Sequence, residues 1–375
     1  MQKVKSFLKK ETMLAVSLVA AIISLFITPP GKELPASIDW KTLATLFMLL
    51  SVLDGFKNED LFRPIIKLAG KIRLQIALSF FLIFSVFFSS MFVTNDVSLI
   101  IFVPLTILLF KAGGKEKYTI PVLVLENIAA VRGSLLTPFG SPQNLFLYSK
   151  SKISTGDFLL MMLPLWLMSI ALLSVFIFIM HRKDIREKAE VFNTSASECG
   201  KPDRKKQVIY LLLFAVVLLT IVTRTTLWPY ITLFVALVLL VFDRKVFLRV
   251  DYALLATFLC FFVFSSSLSA NPSISAFLQK SVANNEYVWS ILLSQVISNV
   301  PASIVLWPFS VNLKGLIYGL DSAGLITIIG SLASVINIRL YTKEYPGNAG
   351  KFMAKFELIS LAFFAVIVGP QLLLI

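Results

Sequence analysis

Residues 132–145 read RGSLLTPFGSPQNL, a polar interruption in a chain that is otherwise apolar on both sides. Gly133 and Gly140 permit loop geometry, while Pro138 and Pro142 lack N–H groups and resist a continued helix, so the stretch predicts a broken membrane helix. Such a break leaves one half-helix ending in free carbonyls, which suit a cation, and another starting with free N–H groups, which suit an anion. Backbone of this kind is tolerated at membrane depth only where protein or a water-filled cavity supplies partners. Gly133, Gly140, Thr137, Ser141, Pro142 and Asn144 are therefore candidates for a polar site.

Three other stretches carry the same chemistry. VTNDVSLIIFVP runs from Val93 to Pro104 and ISNVPASIVLWP from Ile297 to Pro308. Both have a β-branched residue, a hydroxyl residue, an Asn, and a Pro nine positions after that Asn. TPFGSPQNLFLYSK (137–150) aligns without gaps on GSLASVINIRLYTK (330–343), pairing Ser141 with Ser334 and Asn144 with Asn337. Asn95, Asn144, Asn299 and Asn337 each offer a donor and an acceptor, and Thr94, Thr137, Ser141, Ser298, Ser331 and Ser334 add hydroxyls. Two tips and two broken helices would converge on one central site. Taken singly, any of these residues is better explained as a helix-joining hydrogen bond or a kink. Taken as two matched blocks in the same order, they favour a translocation site.

Three charges fall within membrane segments, where ionisable groups are functional candidates by default. Asp96 sits at the first tip and would bind a cation, carry a proton or pair with Arg132. Glu126 and Arg132 are six residues apart, ~9 Å along a helix and ~120° around it, and so poorly placed for each other. Arg132 would attract an anion or silence Asp96, and Glu126 would serve cation or proton coupling or bond a neighbouring helix. Arg132 has no charged counterpart in the repeat, where Leu325 takes the aligned place. A His-based metal site is excluded, since the one histidine, His181, falls at a membrane edge and reads as solvated or interfacial. Cys199 falls in a basic loop and Cys260 within a span, so no disulfide framework is readable.

The elements that position these groups are membrane helices. Of 375 residues, 57% are hydrophobic and 15% charged, and the mean hydropathy is +0.84. Apolar runs near 13–28, 40–56, 74–93, 119–148, 157–180, 207–224, 226–242, 251–269 and 356–375 are long enough to cross a bilayer core of ~30 Å. No A-x-A cleavage signal follows the basic N-terminus, so the first span is read as retained. With alternating sides, 27 Lys and Arg fall in cytoplasmic segments and 7 outside, with Arg132 alone inside a span. The net charge of +14 is thus topology and not nucleic-acid binding. This reading puts the N-terminus in the cytoplasm and the C-terminus outside. Trp40, Trp228 and Trp307 read as interfacial anchors.

The expected fold class is an all-α polytopic membrane protein of two inverted repeats, each with a re-entrant helical hairpin and a broken transmembrane helix. The first repeat would cover 1–180, with a hairpin at 74–110 and a broken helix at 117–150. A cytoplasmic linker would cover 181–206. The second repeat would cover 207–375, with a hairpin at 286–311 and a broken helix at 315–341. The re-entrant reading rests on length: 98–110 supplies ~20 Å of helix and 302–310 less, too little to span.

T-N-D-V in a hairpin, then G-S-x-x-T-P-x-G-S-P-x-N, then S-N-V-P and G-S-L-A-S, resembles the ion transporter superfamily from about Trp40 onward. That group holds citrate-transporter-like permeases, arsenite permeases, divalent anion:sodium symporters and some Na+/H+ antiporters. The chain looks most like its small bacterial inner-membrane anion permeases. The resemblance implies a homodimer with a scaffold domain and a moving transport domain. It also implies hairpin tips that contact sodium and substrate, carried here by Thr94 with Asn95 and Ser298 with Asn299. Gly140, Ser141, Pro142 and Asn144 match the first broken-helix loop. Asp96 and Val300 replace the tip threonines, and Val335-Ile336 replaces the paired prolines of the second loop. A carboxylate at the tip repels a dianionic substrate unless protonated or paired. The Asn-Asp order is closer to permeases for arsenite-like or monovalent species, or to proton coupling.

The function expected is secondary active transport of an anion or small oxyanion-like solute, coupled to Na+ or H+, by alternating access. Thr94, Asn95, Thr137, Pro142, Ser298, Asn299 and Arg132 would contact solute. Asp96, Glu126, Gly133, Gly140, Ser141, Asn144, Ser331, Ser334 and Asn337 would serve coupling, with Na+ as the one candidate bound ion and no other cofactor. Partners would be membrane lipid and a small anion, with no nucleic acid. Alternatives are a Na+/H+ antiporter, an anion channel, or a membrane enzyme using Glu126 and Asp96 as acid and base. No Walker sequence, H-E-x-x-H or G-x-S-x-G occurs to support ATP-driven pumping or an enzyme.

Overall fold

The computed structural model describes residues 12–29, 34–189 and 203–375. Cys199 and most of the 181–206 linker lie outside the described residues. The described chain is helical, with one isolated bridge between Leu74 and Lys188 and no strand. The helices before residue 190 are α1 (Thr12–Ile27), α2 (Leu34–Ser37), α3 (Trp40–Asn58), α4 (Arg63–Ala69), α5 (Gln75–Val93), α6 (Asn95–Ala112), α7 (Thr119–Ser134), α8 (Pro142–Lys150) and α9 (Thr155–His181). Those that follow are α10 (Arg204–Thr223), α11 (Trp228–Phe242), α12 (Tyr252–Ala270), α13 (Pro272–Val282), α14 (Glu286–Ile297), α15 (Asn299–Leu306), α16 (Leu313–Ala323), α17 (Leu332–Glu344) and α18 (Ala349–Leu374).

Local sequence explains several boundaries. Asp39, Ser154, Asp251 and Asn271 each accept a backbone N–H of the first turn that follows, satisfying donors a helix start leaves free. Among the described residues six helices, α5, α6, α9, α10, α12 and α18, are long and apolar enough to cross a membrane. Met13–Ile27 and Trp228–Phe242 are shorter apolar helices. The protein is a multi-pass membrane protein.

One expectation is corrected here. Residues 98–110 read as too short to cross, but α6 runs unbroken for 18 residues from Asn95 to Ala112. Asn95 and Asp96 form its first turn and Pro104 is accommodated inside it, so the helix reaches ~27 Å. Its counterpart α15 stays at 8 residues, followed by a 3-10 turn over Trp307–Phe309.

The helices fall into two groups that meet where α12 packs on α15 and α3 on α8. α12 lies along α1 and touches α3, which also carries α10 and α11. In the other group, α5 packs on α7 and α14 on α16, while α9 and α18 flank α7. The halves interlock in this group: α17 packs on α6, and α8 packs on α15. His181 corrects a second expectation. It is fully buried, with Nε2 3.0 Å from Ser79 Oγ and its ring 4.5 Å from that of Tyr118. The last turn of α9 is pressed against α5, which removes the ring from solvent.

Candidate functional site

The candidate site residues fall mainly on two tips and two breaks. At the first tip Thr94 joins α5 to α6 with φ 69° and ψ 155°; at the second Ser298 joins α14 to α15 with φ 69° and ψ 160°. This backbone region is essentially restricted to glycine, and a residue with a Cβ held there stores ~1–3 kcal/mol. Neither Thr94 nor Ser298 caps the helix it starts.

Each tip helix is tied to a break. The N–H of Asn95 donates to the carbonyl of Gly140 at 3.2 Å, and Thr137 Oγ1 donates to the carbonyl of Met91 at 2.5 Å. Residues 135–141 form this first break between α7 and α8. Asn144 spans it: Nδ2 donates to the carbonyls of Ser134 and Leu135, both at 3.4 Å, and its N–H donates to Ser141 Oγ. The second break covers 324–331 between α16 and α17. There Gln295 of α14 accepts from Thr327 Oγ1 at 2.6 Å and donates to the carbonyl of Ala323 at 3.3 Å.

Close backbone approach explains two glycines. A Cβ on Gly140 would lie 2.3 Å from the Ser134 carbonyl oxygen, and one on Gly330 2.1 Å from that of Ala323. Gly140-Ser141 and Gly330-Ser331 therefore occupy equivalent places, with φ −148° at both serines. The gapless pairing of Ser141 with Ser334 is thereby corrected by three residues, close to one helical turn. The identities shared by 145–150 and 338–343 had drawn the register away from the breaks.

That shift separates the four asparagines. Asn95 and Asn299 start helices at the tips and Asn144 sits at the first break. Asn337 lies within α17, where Nδ2 donates to the Leu123 carbonyl at 2.6 Å, and Ser334 Oγ accepts from Asn127 Nδ2 at 3.0 Å. These two stitch α17 to α7 and are not part of the second break. Pro142 opens α8 and Ser331 precedes α17 without capping it.

The buried charges are arranged differently from expectation. Arg132 does not pair with Asp96. It reaches Asp321 at 2.5 Å through Nη1, and Ser322 Oγ at 3.3 Å through Nη2. Gln371 of α18 lies 2.6 Å from Tyr287 Oη and 2.9 Å from Ser322 Oγ. With its amide oxygen turned toward Arg132 it also accepts from both terminal guanidinium nitrogens, at 3.2 and 3.0 Å. Glu126 accepts from Thr106 Oγ1 at 2.5 Å through Oε1. Glu126 Oε2, Asp96 Oδ1, Ser298 Oγ and Asn299 Nδ2 are buried without a partner among the described residues.

A family model described as citrate transporter matches residues 7–330. The chain belongs to the citrate transporter family. The transporter is also 31% identical over 372 residues, 96% of this chain and 94% of the relative, to a protein named inner membrane protein YbiR of Escherichia coli. It is 30% identical over 335 residues, 88% of this chain and 89% of the relative, to one named uncharacterized transporter MJ0456 of Methanocaldococcus jannaschii.

Sequence reasoning passed over Asp321, Gln295, Asn127 and Gln371 in this transporter. Asp321 carries the clearest signal, a carboxylate in an apolar stretch three residues before Gly324. In the corrected register Arg132 pairs with Ser322, one place after Asp321, so the repeat alone does not reveal the carboxylate. Gln295 had a weaker one, a lone amide three residues before a tip.

Proposed function

We propose that this chain is a secondary active transporter that carries a small anion or oxyanion-like solute across the inner membrane by alternating access, coupled to Na+ or H+. The observation that carries this reading is the pair of tips: Thr94 and Ser298 share a backbone conformation that costs energy, and each tip helix is bonded to its own break. Strain of that kind persists only where surroundings over-determine it, and it clusters at ligand clamps. The membership of the citrate transporter family supports transport itself, and the family's name supports an anion.

The two ends of the centre differ in charge. The first tip has Asp96 in the opening turn of α6, with one carboxylate oxygen unpaired. That arrangement suits a coupling cation or proton. The second tip and break present uncapped starts of α15 and α17, beside the unpaired Ser298 Oγ and Asn299 Nδ2. Free N–H groups and an amide donor suit an anionic solute. Arg132 is fully buried and neutralised by Asp321, so in this reading it positions the half-helices and does not bind solute. The two halves are read as inverted repeats, the assembly as a dimer, the N-terminus as cytoplasmic and the C-terminus as outside.

The test is uptake into proteoliposomes of a panel of labelled anions under imposed Na+ or pH gradients. Asn95→Ala and Asn299→Ala should each abolish gradient-driven uptake; wild-type rates in both would sink the central-site reading. A Na+/H+ antiporter is the second reading, favoured by the unpaired oxygens of Asp96 and Glu126. It would dissipate a pH gradient on addition of Na+ with no anion substrate present.

A further inference from the structure

A cavity of about 220 Å³ opens at the end of the α7–α17 seam remote from the breaks. Thr119, Tyr341, Tyr345, Asn348, Lys351 and Lys355 line it. We propose that it binds a phosphate-type oxyanion, supplied either by the headgroup of an anionic lipid or by a soluble phosphate. It is separate from the tips and breaks and independent of the solute that crosses the membrane.

Three independent features converge. The first is the start of α18, a 26-residue helix whose preceding residue, Asn348, makes no side-chain cap and whose first turn has no acidic residue. Lys351 and Lys355 stand instead in its first two turns, where the helix dipole disfavours cations. Neither forms an ion pair among the described residues, whereas Lys117 is held 3.0 Å from Asp184 and 3.4 Å from Glu187. The second is Thr119, 2% exposed, whose Oγ1 has no partner among the described residues. Tyr345 Oη is buried and unpartnered as well. Thr119 and Tyr345 both line this cavity, and their hydroxyls, which lack acceptors, would serve as donors to an oxyanion. The third is charge. Glu116 is the one carboxylate lining the cavity, against Lys351, Lys355 and the partly neutralised Lys117. Lys111 adds a further cation nearby, 5.8 Å above the Tyr345 ring. The balance is positive and modest, which suits a phosphodiester or phosphate more than a polyanion.

Tyr341 and Tyr345 stack at 5.0 Å between ring centroids and hold the wall rigid. On the sidedness expected from the Lys and Arg distribution, the lysines beside them face the cytoplasmic leaflet, where a lipid phosphate would sit.

The experiment titrates inorganic phosphate into the detergent-purified full chain and follows thermal unfolding. In parallel, the chain is placed in nanodiscs of phosphatidylcholine alone or with phosphatidylglycerol. Wild type should show a saturable rise in Tm of several degrees in at least one arm, since a ligand that binds only the folded state raises stability by mass action. The Lys351→Gln/Lys355→Gln variant should weaken the apparent affinity at least tenfold, and Thr119→Val should weaken it with the charge unchanged. A rise in the phosphate arm identifies a soluble phosphate, and a rise confined to phosphatidylglycerol identifies a lipid headgroup. No saturable rise in either arm, or the same rise in wild type and both variants, overturns the proposal.

Discussion

Arg132 and Asp321 meet at 2.5 Å in the buried interior, 189 residues apart in the chain. They lie near the ends of the two half-helices α7 and α16, so this ion pair joins the halves where both helices stop. Removing one partner leaves an uncompensated buried charge, which costs about 3–5 kcal/mol. Arg132→Met and Asp321→Leu should each lower thermal stability by that order. The double variant should recover most of it, read by unfolding in detergent; additive losses would show that the pair is not coupled.

The strained tips make a prediction of opposite sign. Thr94→Gly and Ser298→Gly relieve backbone at φ 69°. Each should raise stability by about 1–2 kcal/mol, the relief less the entropy that glycine adds to the unfolded chain. Uptake should fall in the same variants, because the tip hydroxyl is lost. A destabilised Ser298→Gly protein would contradict the strain assignment.

Backbone approach can be probed at Gly133, where a Cβ would lie 2.0 Å from the Phe87 carbonyl oxygen. Gly133→Ala and Gly330→Ala should each cost about 1–3 kcal/mol as the helices are forced apart. Gly369→Ala is the control: nothing lies within 4 Å of its Cβ position. There the better helix former should be neutral or stabilising by up to about 1 kcal/mol. Melting temperatures of the three variants decide the matter.

Outside the spans, Asp184 accepts from Tyr118 Oη at 2.6 Å and Lys117 Nζ at 3.0 Å. These hydrogen bonds hold its carboxyl below the ordinary range. A depressed folded pKa contributes stability that is present above the unfolded value of ~3.9 and is lost as pH falls through the folded one. Asp184→Asn should therefore lower Tm at pH 7, and the gap to wild type should close as the pH falls below about 4. A gap independent of pH would assign the effect to packing.

The helical membrane fold was legible because apolar run length is a direct consequence of bilayer thickness. Gly140, Pro142 and the tip serine and threonine were legible because helix breaks require unusual residue types. Other features depend on distance through space. Nothing in the sequence near Arg132 points to α16, and Asn337 resembles Asn144 in sequence while facing Leu123. His181 looked interfacial because its burial comes from Ser79 and Tyr118, both distant in the chain. The length of α6 was misjudged because hydropathy ignores Asn95 and Asp96, which are helical although polar.

If the proposed alternating access holds, the contact of Gly133 with Phe87 bears on which surfaces would slide. Where backbone meets backbone there are no side chains to ratchet past one another, so under the proposed alternating access α5 and α7 would travel as one piece with their tip and break. The seam toward α12 is of another kind. It is made by the rings of Phe146 and Phe262 at 5.6 Å and by one hydrogen bond from Ser265 to the Ile304 carbonyl. Aromatic faces and a lone bond re-form at a new offset more readily than backbone contacts, so under the proposed alternating access that seam would be the bearing surface and Phe262 the residue on which the stroke is geared.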